Sequence, residues 1–132
     1  MYINFSDIPG HQNLFLDYLY EYDNVSEFYA NDFRNKENYL KIFKNVSENR
    51  QDFSTTISEL LSRQYSQLNP SKLTHQNIKK LSDKKTLAIV TGQQLGILGG
   101  PLYTFYKIIT AIKLSRLLSE RYDDYNFVPV FW

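Results

Sequence analysis

The run TLAIVTGQQLGILGGPLYTFYK, Thr86 to Lys107, decides how this chain folds. Six apolar or β-branched residues lead into a loop holding four of the chain's five glycines. Glycine in a structured region marks backbone that turns sharply or is closely approached. Here it is concentrated where Gln93, Gln94, Tyr103 and Lys107 also converge. Residues Thr86 to Thr91 lack polar alternation, the pattern of a strand covered on both faces. Pro101 suits the first position of a helix, where the missing N–H costs nothing, which makes Gly100 the N-cap. The helix then runs from about Pro101 to Glu120.

Working outward, the polar loop RYDDYN leads to FVPVFW, a second strand whose start is weakened by Pro129, since proline cannot donate to a ladder. Strand, turn, helix, strand is a βαβ unit, with parallel strands and a right-handed crossover. Upstream the pattern is helical and polar. Leu14, Tyr18, Leu19 and Tyr22 follow helical spacing, as do Leu40, Phe43 and Val46. A longer amphipathic stretch carries Phe53, Ile57, Leu60, Leu61 and Tyr65 and stops at Asn69-Pro70. Thr74 is placed to cap a short helix bearing Ile78 and Leu81. The change of character near Ser82 divides the chain into a helical segment, 1–82, and an α/β segment, 83–132. Two apolar parallel strands do not finish a sheet, and the second ends at Trp132, so a longer protein with this chain at its N-terminus is expected.

Composition narrows the function. The 132 residues carry a formal net charge of +1, which gives no electrostatic reason to expect nucleic acid or an anionic membrane as partner. There is no cysteine, which excludes a disulfide framework or thiolate nucleophile within the chain. No charged leader precedes an apolar run, and no apolar stretch approaches the ~20 residues that span a bilayer. The chain reads as soluble and cytoplasmic. His11 and His75 stand in polar contexts without a second ligand nearby, so no metal site is expected.

The glycine-rich turn carries the candidate chemistry. Free N–H groups of Leu102 and Tyr103 would lie at the carboxyl end of the first strand, where open parallel sheets bind ligands. A helix N-terminus there favours phosphate or carboxylate. At 100° per residue, Lys107 lies opposite the wet face formed by Lys113, Arg116 and Glu120, and so needs a partner: a bound anion or a protein carboxylate. Packing alternatives remain open. The glycines also suit a tight turn alone, Gln93 and Gln94 also suit satisfaction of loop backbone, and Lys107 also suits a structural ion pair. The stretch is neither a Walker A motif nor G-x-G-x-x-G.

LAIVTGQQLGILGGPLYTFYKIITAIKLS, followed by VPVFW, resembles the BshC family, the cysteine ligases of bacillithiol biosynthesis. The resemblance rests on Thr91, Gly92, Gln93, Gln94, Gly96, Gly99, Gly100, Pro101, Leu102, Tyr103, Thr104, Tyr106, Lys107 and Pro129 to Trp132, with Ile8 to Gly10 and Leu14 to Leu19 similar to the family's N-terminus. It implies the first βαβ of a Rossmann-like, nucleotidyltransferase-like core, and elsewhere in the full-length protein a coiled coil that supports a homodimer. It also implies addition of cysteine to glucosaminyl malate, with these residues alone expected to be inactive. Amide formation needs an activated carboxylate, which a nucleotide such as ATP would supply, leaving ADP or AMP. The binding candidates are Thr91, Gly92, Gln93, Gln94, Gly96, Gly99, Gly100, Tyr103 and Lys107, with Lys107 the candidate for a catalytic role. Two other readings use the same turn: a nucleotidyltransferase-like enzyme with another acceptor, and a non-catalytic nucleotide- or anion-binding module.

Overall fold

The computed structural model describes residues 3–92, 96 and 100–132. The chain forms two compact units, Met1–Ile42 and Phe43–Trp132.

In the first unit a 3-10 turn, Phe5–Asp7, is capped by the Asn4 side chain, which accepts from the Ser6 N–H. Helix α1, Asn13–Tyr20, follows, then a second 3-10 turn, Tyr22–Val25. Tyr22 and Val25 are the buried residues. The Tyr18 ring stacks on Phe33 and meets Tyr22 and Tyr29, while the Tyr22 hydroxyl donates to the Tyr29 carbonyl. The abundant aromatics thus close a small core around a segment with little regular structure. Arg34 clasps Asp32, with Nη2 2.9 Å from Oδ2, and that bond holds the Asp32 carboxyl below the usual carboxylate range.

Helix α2, Glu37–Asn49, carries Phe43 in its second turn. In the second unit Phe43 is buried edge-on against Tyr122 and Phe127 and tilted against Tyr125, at centroid distances of 5.0–5.6 Å. Helix α3, Ser54–Tyr65, and helix α4, Lys72–Lys80, follow. They are tied by Ser58, whose hydroxyl donates to the Ile78 carbonyl at 2.8 Å. Asn69, at φ 47°, occupies the left-handed region that asparagine tolerates between helices. The cap of α4 lies three residues earlier than the sequence suggests. Ser71 accepts from the Thr74 N–H at 3.2 Å, so Thr74 is already in the first turn.

Strand β1, Thr86–Thr91, has the predicted bounds. It pairs in parallel with β2, Asn126–Phe131, from Thr86 opposite Asn126 to Thr91 opposite Phe131. Pro129 sits within β2 opposite Ile89. Among the described residues β2 has one neighbour, and an edge strand tolerates proline. Helix α5, Leu102–Arg121, packs on both strands as the crossover. Its cap is Pro101 rather than Gly100, because Pro101 keeps extended geometry (ψ 156°) while its carbonyl accepts from Thr104 at 2.9 Å.

Coverage of β1 is one-sided, unlike the two-sided burial expected. Thr86 and Leu87 are buried, but Ala88 is exposed and Val90 is 59% exposed. Ile108, Ala111 and Ile112 of α5 face Thr91, Pro129 and Phe131 across a cleft of about 210 Å³. On the opposite face, Ile57 and Leu61 of α3 line a cleft with Thr86, Ala88 and Val130. On that face Thr86 is buried, while Ala88 and Val90 are exposed.

Candidate functional site

The site is built where the strands end. The Trp132 N–H donates to the Thr91 carbonyl at 3.2 Å, extending the ladder one residue past β2. That register brings Gly92 against Trp132. A Cβ built on Gly92 would lie 3.3 Å from both the indole Nε1 and the Trp132 carbonyl oxygen. Lys107, in the second turn of α5, reaches back to the same glycine. Its Nζ donates to the Gly92 carbonyl at 2.9 Å and lies 4.8 Å from the centroid of the Tyr103 ring. The partner foreseen for Lys107 was an anion or a carboxylate. Its partner here is a backbone carbonyl, which the helix's start beside the end of β1 puts within reach. An ammonium has three protons, and this bond uses one.

Gly96 and Gly100 stand where a side chain is not accommodated. A Cβ on Gly96 would fall 2.6 Å from the Gly100 Cα, a backbone clash, and Gly100 itself has φ 77°. Only glycine takes that conformation without strain. Gly96 and Gly100 therefore lie against each other just before the start of α5. Tyr103 is half exposed there, and Lys107 half-buried. Gln93, Gln94 and Gly99, all candidates from the sequence, lie outside the described residues. Of the other candidates, the structure groups Thr91, Gly92, Tyr103 and Lys107, and places Gly96 against Gly100.

Thr104 and Trp132 stand in the motifs that carry the resemblance but are not among the binding candidates, and the structure gives each a place. Thr104 is 1% exposed, and its Oγ1 has no hydrogen-bond partner among the described residues. Its spacing from Ala111 and Ser115, also buried on α5, was the available signal. Trp132 is 83% exposed although its indole edge touches Gly92. Aligning the two strands residue by residue would have placed it there.

A second charged region is basic and only partly compensated. Lys44, Arg50, Lys84 and Lys85 line a cleft of about 400 Å³ with Glu48 and Asp52. Arg50 donates to the Thr86 carbonyl at 2.9 Å and the Asp83 carbonyl at 3.1 Å. Lys84 lies 3.0 Å from Asp52, and its hydrogen bond and charge hold that carboxyl below the usual range. Among the described residues no group of three or more His, Cys, Asp or Glu side chains is placed to hold a metal ion. No described helix is long and apolar enough to cross a membrane.

The profile of the bacillithiol biosynthesis BshC N-terminal Rossmann-like domain matches residues 1–132. The chain belongs to the BshC family. A protein of Christiangramia forsetii named "Putative cysteine ligase BshC" is 41% identical over 123 residues, 90% of this chain and 22% of that protein. BshC relatives of the same name from Natranaerobius thermophilus and Staphylococcus epidermidis are 36% and 40% identical, over 98% and 82% of this chain. The chain spans about a fifth to a quarter of the length of these BshC relatives, between 19% and 24%. The Rossmann-like assignment agrees with the parallel β1–α5–β2 unit.

Proposed function

We propose that this chain contributes the anion-binding βαβ of a ligase that joins cysteine to glucosaminyl malate in bacillithiol biosynthesis. The observation that carries the reading is the Lys107 ammonium, held at the carboxyl end of β1 by the Gly92 carbonyl at the start of α5. Membership of a family whose relatives are named as cysteine ligases supplies the reaction class.

The reaction forms an amide between the cysteine carboxylate and the sugar amine. A carboxylate does not accept an amine until an oxygen is converted to a leaving group. ATP would supply this as an acyl phosphate with release of ADP, or as an acyl adenylate with release of pyrophosphate; the amine then attacks the carbonyl, phosphate or AMP departs, and a base takes the amine's proton. Each reactant and leaving group carries a carboxylate or a phosphate. The amides at the start of α5 and the two remaining protons of Lys107 suit such groups. Gln93 and Gln94 would orient a carbonyl or carboxylate, and Tyr103 would line the pocket. The reading includes nucleotide binding, a cytoplasmic setting and a homodimer in the longer protein.

Mass spectrometry of products tests it, using the protein that carries this chain with cysteine, glucosaminyl malate and ATP, each omitted in turn. A cysteine-dependent amide that falls at least about tenfold in Lys107→Met is expected, since one charge-assisted bond contributes about 1.5–3 kcal/mol. Unchanged turnover in that variant overturns the site, and no cysteine-dependent product overturns the reaction.

A further inference from the structure

Buried hydroxyls of the second unit donate to carbonyls: Ser58 to Ile78, Thr86 to Lys80 and Ser115 to Ile112. Thr104 breaks this pattern. Its N–H bonds the Pro101 carbonyl, but its Oγ1 is enclosed and has no partner among the described residues. A buried hydroxyl without a partner destabilises the state that holds it, and a valine of the same shape does not. The place of Thr104 on α5 says which group the hydroxyl could meet. Thr104, Ile108, Ala111 and Ser115 form one stripe at helical spacing. Ile108 and Ala111 line a cleft with Thr91. Thr104 stands about 6 Å nearer the start of α5 than Ile108, at the level of the chain just past Thr91, where the half-buried Gly92 begins. The Gly92 carbonyl is taken by Lys107, three positions after Thr104 and therefore on the same side of the helix.

We propose that Thr104 is a positioning residue for Lys107. In the ligand-free protein the ammonium holds the Gly92 carbonyl and the hydroxyl is idle. An arriving phosphate or carboxylate draws the ammonium onto itself, because a full negative charge attracts it more than a carbonyl dipole does. The Thr104 hydroxyl then donates to the Gly92 carbonyl, which would otherwise be left half-buried without a donor. The threonine thus lowers the stability of the free protein and favours the anion-bound one. The inference deepens the proposed function and rests on it for the anion.

A double-mutant cycle in the full-length protein that carries this chain tests it, with ADP and glucosaminyl malate binding followed by calorimetry. Without ligand, Thr104→Val should melt no lower than the wild type. It should bind about tenfold more weakly, while Thr104→Ser, which keeps the hydroxyl, stays within about threefold of the wild type. In a Lys107→Met background there is no ammonium to draw away, so adding Thr104→Val should change affinity by less than about twofold. An equal loss in both backgrounds makes the hydroxyl a direct contact or a packing group, and overturns the inference while leaving the anion site intact. Unchanged affinity in Thr104→Val does the same, and so does a lower melting temperature of that variant without ligand, which would show the hydroxyl already bonded. Wild-type affinity in Lys107→Met, or no binding by the wild type, overturns the anion site and this inference together.

Discussion

The two ends of the β1–β2 pair are held by opposite means. At the amino end, the Arg50 guanidinium bonds the Thr86 and Asp83 carbonyls, the Thr86 hydroxyl donates to the Lys80 carbonyl, and the Asn126 side chain donates to Asp83. Phe43, Tyr122, Tyr125 and Phe127 pack beside them. At the carboxyl end the described contacts are the Lys107–Gly92 bond, the Trp132–Thr91 bond and the closure of Gly96 on Gly100. Val90, Phe131 and Trp132 are exposed there. The amino end satisfies its own polar groups and buries its rings; at the carboxyl end two protons of the Lys107 ammonium have no partner among the described residues. The first fastens the unit, and the second is where we propose binding.

That division is open to attack from either end. Phe43→Ala removes a buried ring and should cost about 3 kcal/mol, read from urea unfolding. A loss below about 1 kcal/mol would mean that the aromatic cluster does not anchor the unit. Arg50→Met keeps the aliphatic stem but leaves two carbonyls without their donor, and should cost about 2 kcal/mol with ligand affinity unchanged. Weaker ligand binding in a folded Arg50→Met protein would move the anion site to the basic cleft. Gly100→Ala imposes a side chain at φ 77° and should cost about 1 kcal/mol. It should weaken ligand binding by more than that, because it displaces the start of α5; equal losses would make the turn merely structural.

How far the sequence discloses this differs between the ends. The bounds of β1, the crossover helix and the family resemblance are legible because the apolar run and the GGPLYT turn are local patterns. The amino end's fastening is not, because Arg50 and Thr86 are 36 positions apart and a lone arginine after a helix carries no signal of its partner. The same reason explains why the change of character at Ser82 marks a change of structure type, while the second compact unit reaches back to Phe43. At the carboxyl end, the glycines and Lys107 are visible as a cluster. The identity of the lysine's partner is a matter of three-dimensional reach, and the exposed half of β1 depends on what covers each face.

The smallest expected effect is electrostatic. Asp52 is held below its ordinary value first by its hydrogen bond to Lys84, then by the lysine's charge. A depressed carboxyl contributes stability that is complete above the unfolded value of about 3.9 and is lost as pH falls through the folded value. Both side chains are well exposed, so the acid limb is shallow. Lys84→Gln should flatten it, and an unchanged limb would assign acid sensitivity to other carboxyls such as Asp32.

The most direct measurement is backbone amide shift mapping of the chain titrated with ADP and with glucosaminyl malate. Shifts should concentrate at Thr91, Gly92, Gly100 and Leu102 to Lys107, while Arg50, Lys84, Thr86 and Asn126 stay still. Shifts centred on Lys44, Arg50, Lys84 and Lys85 instead, or none at the end of β1, would contradict it.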